Sequence, residues 1–131
     1  MGREFSKSGV AVSVTPEVSF KIIESGDRFT HVVIIGRLDT LGVGAIDVSL
    51  SGHTATRRRP TIFDLAEVSF LASLGMGMLI QIARSLRSHN AGLVLLNPQE
   101  PVERALRAAR IDDITPIVHG QDEALRILQV E

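Results

Sequence analysis

The chain has 131 residues, a formal net charge of −1 from 14 basic and 15 acidic side chains, and no cysteine. Hydrophobic residues make up 44% and charged residues 22%, so a chain of this size buries about two-thirds of its unfolded surface and is not disordered. The balanced charge and the absence of Trp and Tyr argue against direct nucleic-acid binding, and the missing cysteine excludes disulfides, thiolate metal sites and thiol catalysis.

Residues 1–15 are polar, with frequent Gly and Ser and little periodicity, which predicts a flexible N-terminal arm ahead of a single domain over 16–131. The opening Met1-Gly2-Arg3-Glu4-Phe5-Ser6 fits the N-myristoylation pattern. That pattern is short and recurs by chance, so an inert arm is the expectation. No cationic, apolar leader opens the chain and no run of apolar residues is long enough for a membrane span, so a cytoplasmic protein is expected.

Residues 18–23 alternate in part and read as a strand, Ser25-Gly26-Asp27 as a turn, and 31–35 as a stronger, β-branched strand. Together they predict a hairpin. Asp39 or Thr40 is suited to cap a helix over 41–51, with Val43, Ile46 and Leu50 inward. Gly42 and Gly44 weaken its first turn by about 1 kcal/mol each. Gly52 reads as its stop and Arg57-Arg58-Arg59-Pro60 as a charged loop.

Residues 61–65 read as a buried strand and 66–70 as a loop. A helix is expected from about Ser73 to about Asn90, with Leu79, Ile82, Ala83 and Leu86 as its buried stripe. Residues 93–96 form another buried strand. A helix follows with Pro101 early in it, and Val102, Ala105, Leu106 and Ala109 on its apolar face. Residues 114–118 read as an edge strand because of Pro116, and 121–128 as a last helix with Ala124, Leu125 and Leu128 inward. Strands alternating with helices after a hairpin imply an α/β fold: a mixed, largely parallel sheet with about four helices.

Little in this pattern points to catalysis. His31, His53, His89 and His119 have no metal-site spacing. Gly75-Met76-Gly77 and Gly42-Val43-Gly44 lack the third glycine of a dinucleotide loop. Leu71 stands where a nucleophile elbow needs glycine. The triple arginine reads as a solvated loop, with anion binding as the functional alternative. No metal or cofactor is expected.

The informative stretch is 64–79, DLAEVSFLASLGMGML. A strand ends, a serine is presented, and a helix begins at that serine. The Ser73 hydroxyl is placed to cap the helix, and a phosphate there would meet its electropositive N-terminus. Met76 and Ile80, four apart, lie outside the buried stripe and read as a small apolar contact patch, unless Met76 packs inward.

This stretch resembles the phosphorylation-site region of STAS domains, especially bacterial anti-sigma factor antagonists. Asp64, Leu65, Val68, Phe70, Leu71, Ser73, Gly75 and Gly77 stand at matching positions. Gly36-Arg37-Leu38-Asp39 is similar to the family's Gly-Glu-Leu-Asp, and the resemblance runs over about 17–128. It implies a STAS-like fold and a non-enzymatic partner switch. The antagonist binds an anti-sigma factor that is also a serine kinase, which frees a sigma factor. Phosphorylation of the motif serine breaks the complex, and a phosphatase resets it. Ser73 matches the phosphorylated serine. Asp39, Thr40, Ala72, Gly75, Met76 and Ile80 are the expected partner-binding residues, on a monomer or weak dimer. Two positions depart from the family: Ala72 replaces an Asp and Leu74 a Ser or Thr. These departures also fit a non-phosphorylated STAS subunit of a membrane lipid ABC transporter or of a signalling scaffold.

Overall fold

A computed structural model describes residues 4–6, 9–14, 18–25 and 28–130. Strands β1 (Glu4–Ser6), β2 (Gly9–Val14), β3 (Val18–Ser25) and β4 (Thr30–Leu38) lead into helix α1 (Thr40–His53). Strand β5 (Thr61–Leu71), α2 (Ser73–Arg87), β6 (Leu93–Leu96), α3 (Glu100–Ala108), β7 (Ile117–Val118) and α4 (Gln121–Ile127) follow.

Among the described residues seven strands form one sheet in chain order. The pairings from β1 to β4 are antiparallel and those from β4 to β7 parallel. The mixed sheet, the β3–β4 hairpin and the four helices match the expected architecture. The stretch expected to be a flexible arm differs. Both β1 and β2 lie within 1–15, and β2 pairs with β3 through Val10–Ile22 and Val14–Ser19. The open edge of β3 provides a template that local periodicity does not reveal. The myristoylation pattern and the turn at 25–27 fall partly outside the described residues.

Each parallel crossover returns through a helix, and the helices bury the sheet. Phe63 and Leu65 of β5 face a larger core with Val32, Ile34, Ile46, Leu50, Leu79 and Leu86. The alternate residue Ile62 faces a smaller core with Val94, Leu96, Val118 and Ala124, on which Leu125 and Leu128 of α4 pack. The period-two alternation of the strands thus divides the apolar residues between two layers.

Several boundaries differ from the sequence reading. Residues 66–70 are not a loop, because β5 continues to Leu71 alongside β4, pairing Gly36 with Val68 and Leu38 with Leu71. Gly52 does not stop α1: the helix runs to His53, and the buried Thr54 hydroxyl donates to the Leu50 carbonyl at 2.8 Å. Helix α2 ends at Arg87 rather than near Asn90, which takes a left-handed φ of 62°. In α3, Val102 and Leu106 are buried as expected, but Ala109 is exposed beyond the helix end. Only residues 117–118 of the expected 114–118 strand pair. Pro116, which has no N–H to give, accepts from Leu95 N at 2.9 Å instead.

Candidate functional site

The parallel pairing of β4 with β5 determines where the candidate residues meet. Both strands end at the same level, Leu38 opposite Leu71, so α1 and α2 start side by side. The Ala72 N–H donates to the Leu38 carbonyl at 3.0 Å and ties the two turns together. Asp39 and Thr40 open α1; Ala72, Ser73, Gly75 and Met76 open α2. Ile80 lies farther along α2 and borders a groove of about 310 Å³ with Val43, Asp47, Leu74, Gly77 and Gln81.

Asp39 is the N-cap of α1, and its Oδ1 accepts the Gly42 N–H at 2.8 Å. Arg37 Nε donates to Asp39 Oδ2 at 3.2 Å. The Gly42 bond, opposed by desolvation and aided by Arg37, holds the Asp39 carboxyl below its ordinary value. The Arg37 guanidinium also lies 4.4 Å from the centroid of the Phe70 ring.

Ser73 does not cap its helix. It is the first helical residue, Ala72 occupies the cap position, and no side chain bonds there. The cap position is held by an alanine, whose methyl group cannot accept an N–H, so no side chain caps the first turn. Ser73 is therefore exposed on an electropositive helix end, without the local bond expected from the sequence.

Gly75 is buried where α2 crosses the strand ends. A β-carbon there would stand 2.7 Å from Leu71 Cδ1 and 2.9 Å from the Leu38 carbonyl oxygen. At Gly42 it would collide with the Arg37 carbonyl. These glycines let both helices start in contact with the strands. Gly77 has open space around it.

The apolar patch is not the one read from the sequence. Met76 and Ile80 are half-buried and pack against the larger core. On α1, α2 and the end of β5 the exposed large apolar side chains are Leu41 (85%), Val48 (88%), Leu74 (49%) and Phe70 (40%). Leu41 and Val48 are out of phase with the stripe of Val43, Ile46 and Leu50. That signal was present in the sequence but carried no weight without knowing what α1 packs against. Among the described residues there is no cluster of three or more potential metal ligands, and no helix is long and apolar enough to cross a membrane.

Comparison with known proteins agrees with this architecture. The STAS domain family profile matches residues 21–124. The anti-sigma-B factor antagonist of Listeria monocytogenes is 24% identical over 106 residues, covering 81% of this chain and 93% of that protein. An anti-sigma factor antagonist from Mycobacterium paratuberculosis superposes with a TM-score of 0.76 at 21% identity, covering 90% and 99% of the two chains. The Bacillus cell fate determinant SpoIIAA in its phosphorylated form superposes at 0.62 with 18% identity, covering 82% and 98%. The profile spans most of the chain: this chain belongs to the STAS domain family.

Proposed function

We propose that this chain is an anti-sigma factor antagonist, a binding protein that docks a kinase-type anti-sigma factor and so frees a sigma factor. The docking surface is the end at which α1 and α2 begin. Asp39, Thr40, Ala72 and Gly75 shape its turns, Met76 and Ile80 support it from beneath, and Leu41, Leu74 and Phe70 supply exposed apolar area. Ser73 is the switch. The observation that carries this reading is an exposed serine at the first position of α2 beside an exposed leucine. The names of the Listeria and mycobacterial relatives and the phosphorylated SpoIIAA structure support it.

The physics of the switch is local. A phosphate on Ser73 adds about −1.5 to −2 charges to a largely apolar contact surface. The α2 N-terminus favours that charge in the free protein, whereas docking would bury it against the partner. The modification therefore stabilises the free state and opposes the complex, and a phosphatase reverses it. Ala72 leaves no carboxylate on the residue preceding the acceptor, so recognition by the kinase must rest on other groups of this end. Calorimetric titration of the kinase-type anti-sigma factor into wild type, Ser73→Ala and Ser73→Glu tests the proposal. Affinity that survives in Ser73→Ala and drops about tenfold or more in Ser73→Glu supports it. Equal affinity of all three removes Ser73 as the switch.

A second reading has Ala72 and Leu74 in its favour: a constitutive STAS subunit of a membrane transporter or of a signalling scaffold, docking through the same apolar surface without phosphate. Neighbouring genes separate the two, a kinase-like anti-sigma gene favouring the first and permease and ATPase genes the second.

A further inference from the structure

We propose that the end of the domain opposite Ser73 docks on the surface of an anionic lipid bilayer. The parallel strands β4–β7 all run toward the Ser73 end, and each is followed by a helix that runs back. Loops that enter the strands and last turns of the helices therefore gather at the far end. Arg28 precedes β4; Arg57, Arg58 and Arg59 precede β5. Arg84 and Arg87 lie in the last turn of α2 and Arg126 in that of α4.

These segments adjoin one another. The Thr30 N–H donates to the Pro60 carbonyl at 2.8 Å, joining the Arg28 segment to the triple arginine. Gln129 borders the cleft of Arg28 and Pro60, and also the neighbouring cleft of Arg87 and Ile127. Arg28, Arg57, Arg58, Arg84 and Arg126 are exposed and form no ion pair with the described residues. Asp112 and Asp113, which follow α3 toward this end, are already paired, with Arg107 at 3.2 Å and Arg110 at 2.8 Å. At the opposite end stand Asp39, the cap of α1, Glu100 and Glu103 in the first turn of α3, and Asp122 and Glu123 in the first turn of α4. The acidic first turns of α3 and α4 and the basic last turns of α2, α3 and α4 suit the dipoles of those helices, and the parallel topology points the helices the same way. A chain of net charge −1 thus presents a basic end.

Charge complementarity calls for an anionic partner, and other features select a bilayer. The arginines come from separate segments rather than from one helix that fits a groove of DNA. No Trp or Tyr exists to stack on bases. An aliphatic side chain, Ile127 at 43% exposure, stands beside Arg87 and Arg126 and can enter the interfacial region. Bound this way, the domain turns its Ser73 end toward solution. This inference does not depend on the function proposed for Ser73.

Co-sedimentation of the full chain with vesicles tests it. Wild type is expected to bind vesicles of phosphatidylglycerol and phosphatidylcholine, not vesicles of phosphatidylcholine alone, and to release as salt is raised. Combined Arg28→Gln, Arg57→Gln and Arg58→Gln should weaken binding at least about tenfold. Ile127→Asn should weaken it severalfold, and Arg104→Gln on α3 should not change it. Melting midpoints monitor folding, and the salt dependence of wild type stands without any variant. No binding to phosphatidylglycerol vesicles, or full binding by the triple variant, overturns the proposal. So does duplex DNA outcompeting the vesicles, which would assign the basic end to nucleic acid.

Discussion

The Ala72 N–H donates to the carbonyl of Leu38, 34 positions earlier, at 3.0 Å. Leu38 closes β4, and Ala72, just past the end of β5, is the N-cap of α2. One bond thus holds together the two turns that carry Asp39 and Ser73. The candidate site is a property of the β4–β5 pairing, and disturbing that junction should be felt in stability before it is felt in binding.

Gly75 and Gly77 make the sharpest comparison. Gly75→Ala places a methyl group against a backbone carbonyl and Leu71, and is expected to cost about 1–3 kcal/mol. Gly77→Ala meets nothing within 4 Å and should stabilise the helix by up to about 1 kcal/mol. Urea denaturation of both variants checks the opposite signs.

Ser73 makes no capping bond, so Ser73→Ala should change stability by no more than about 0.5 kcal/mol, less than the loss of a true N-cap. Ser73→Asp should raise stability by about 0.3–1 kcal/mol through the helix dipole. Under the proposed switch the same substitution lowers partner affinity. Melting and titration on one preparation would show the two effects moving in opposite directions.

The apolar residues at this end should separate into two classes. Leu41→Ser and Leu74→Ser remove exposed side chains; they should leave stability within about 0.5 kcal/mol and reduce partner affinity severalfold. Met76→Ala should instead lower stability by about 1–2 kcal/mol, because Met76 packs on the core. Thermal unfolding alongside partner titration distinguishes surface from support.

Acid should weaken the start of α1. The Asp39 carboxyl is held below its ordinary value, chiefly by the Gly42 N–H. A carboxyl depressed in the folded state contributes stability above its unfolded pKa, and that contribution is lost as pH falls through the folded one. Glu103, depressed mainly by His119 and Arg107, acts in the same direction. In Asp39→Ala the melting midpoint should be lower at neutral pH and fall less steeply on acidification. A pH series of melting curves for both proteins checks this.

What the sequence determined by itself was local. Alternation and 3.6-residue periodicity located β3, β4, β6 and all four helices, and they identified the buried stripe of α2. The motif around Ser73, with Asp39 after the second of these strands, marked the family and singled out Ser73 as the proposed switch. Tertiary structure decided what depends on partners distant in the chain. It extended β5 through residues 66–70, because β4 offers hydrogen bonds along that whole length. It also recruited β1 and β2 to the open edge of β3. It made Leu41 and Leu74 surface and Met76 support, because a helical face is inside or outside only relative to what it packs against. And it gathered arginines from four segments distant in the sequence at one end of the domain, since a linear count of charge carries no direction until parallel strands give every helix the same one.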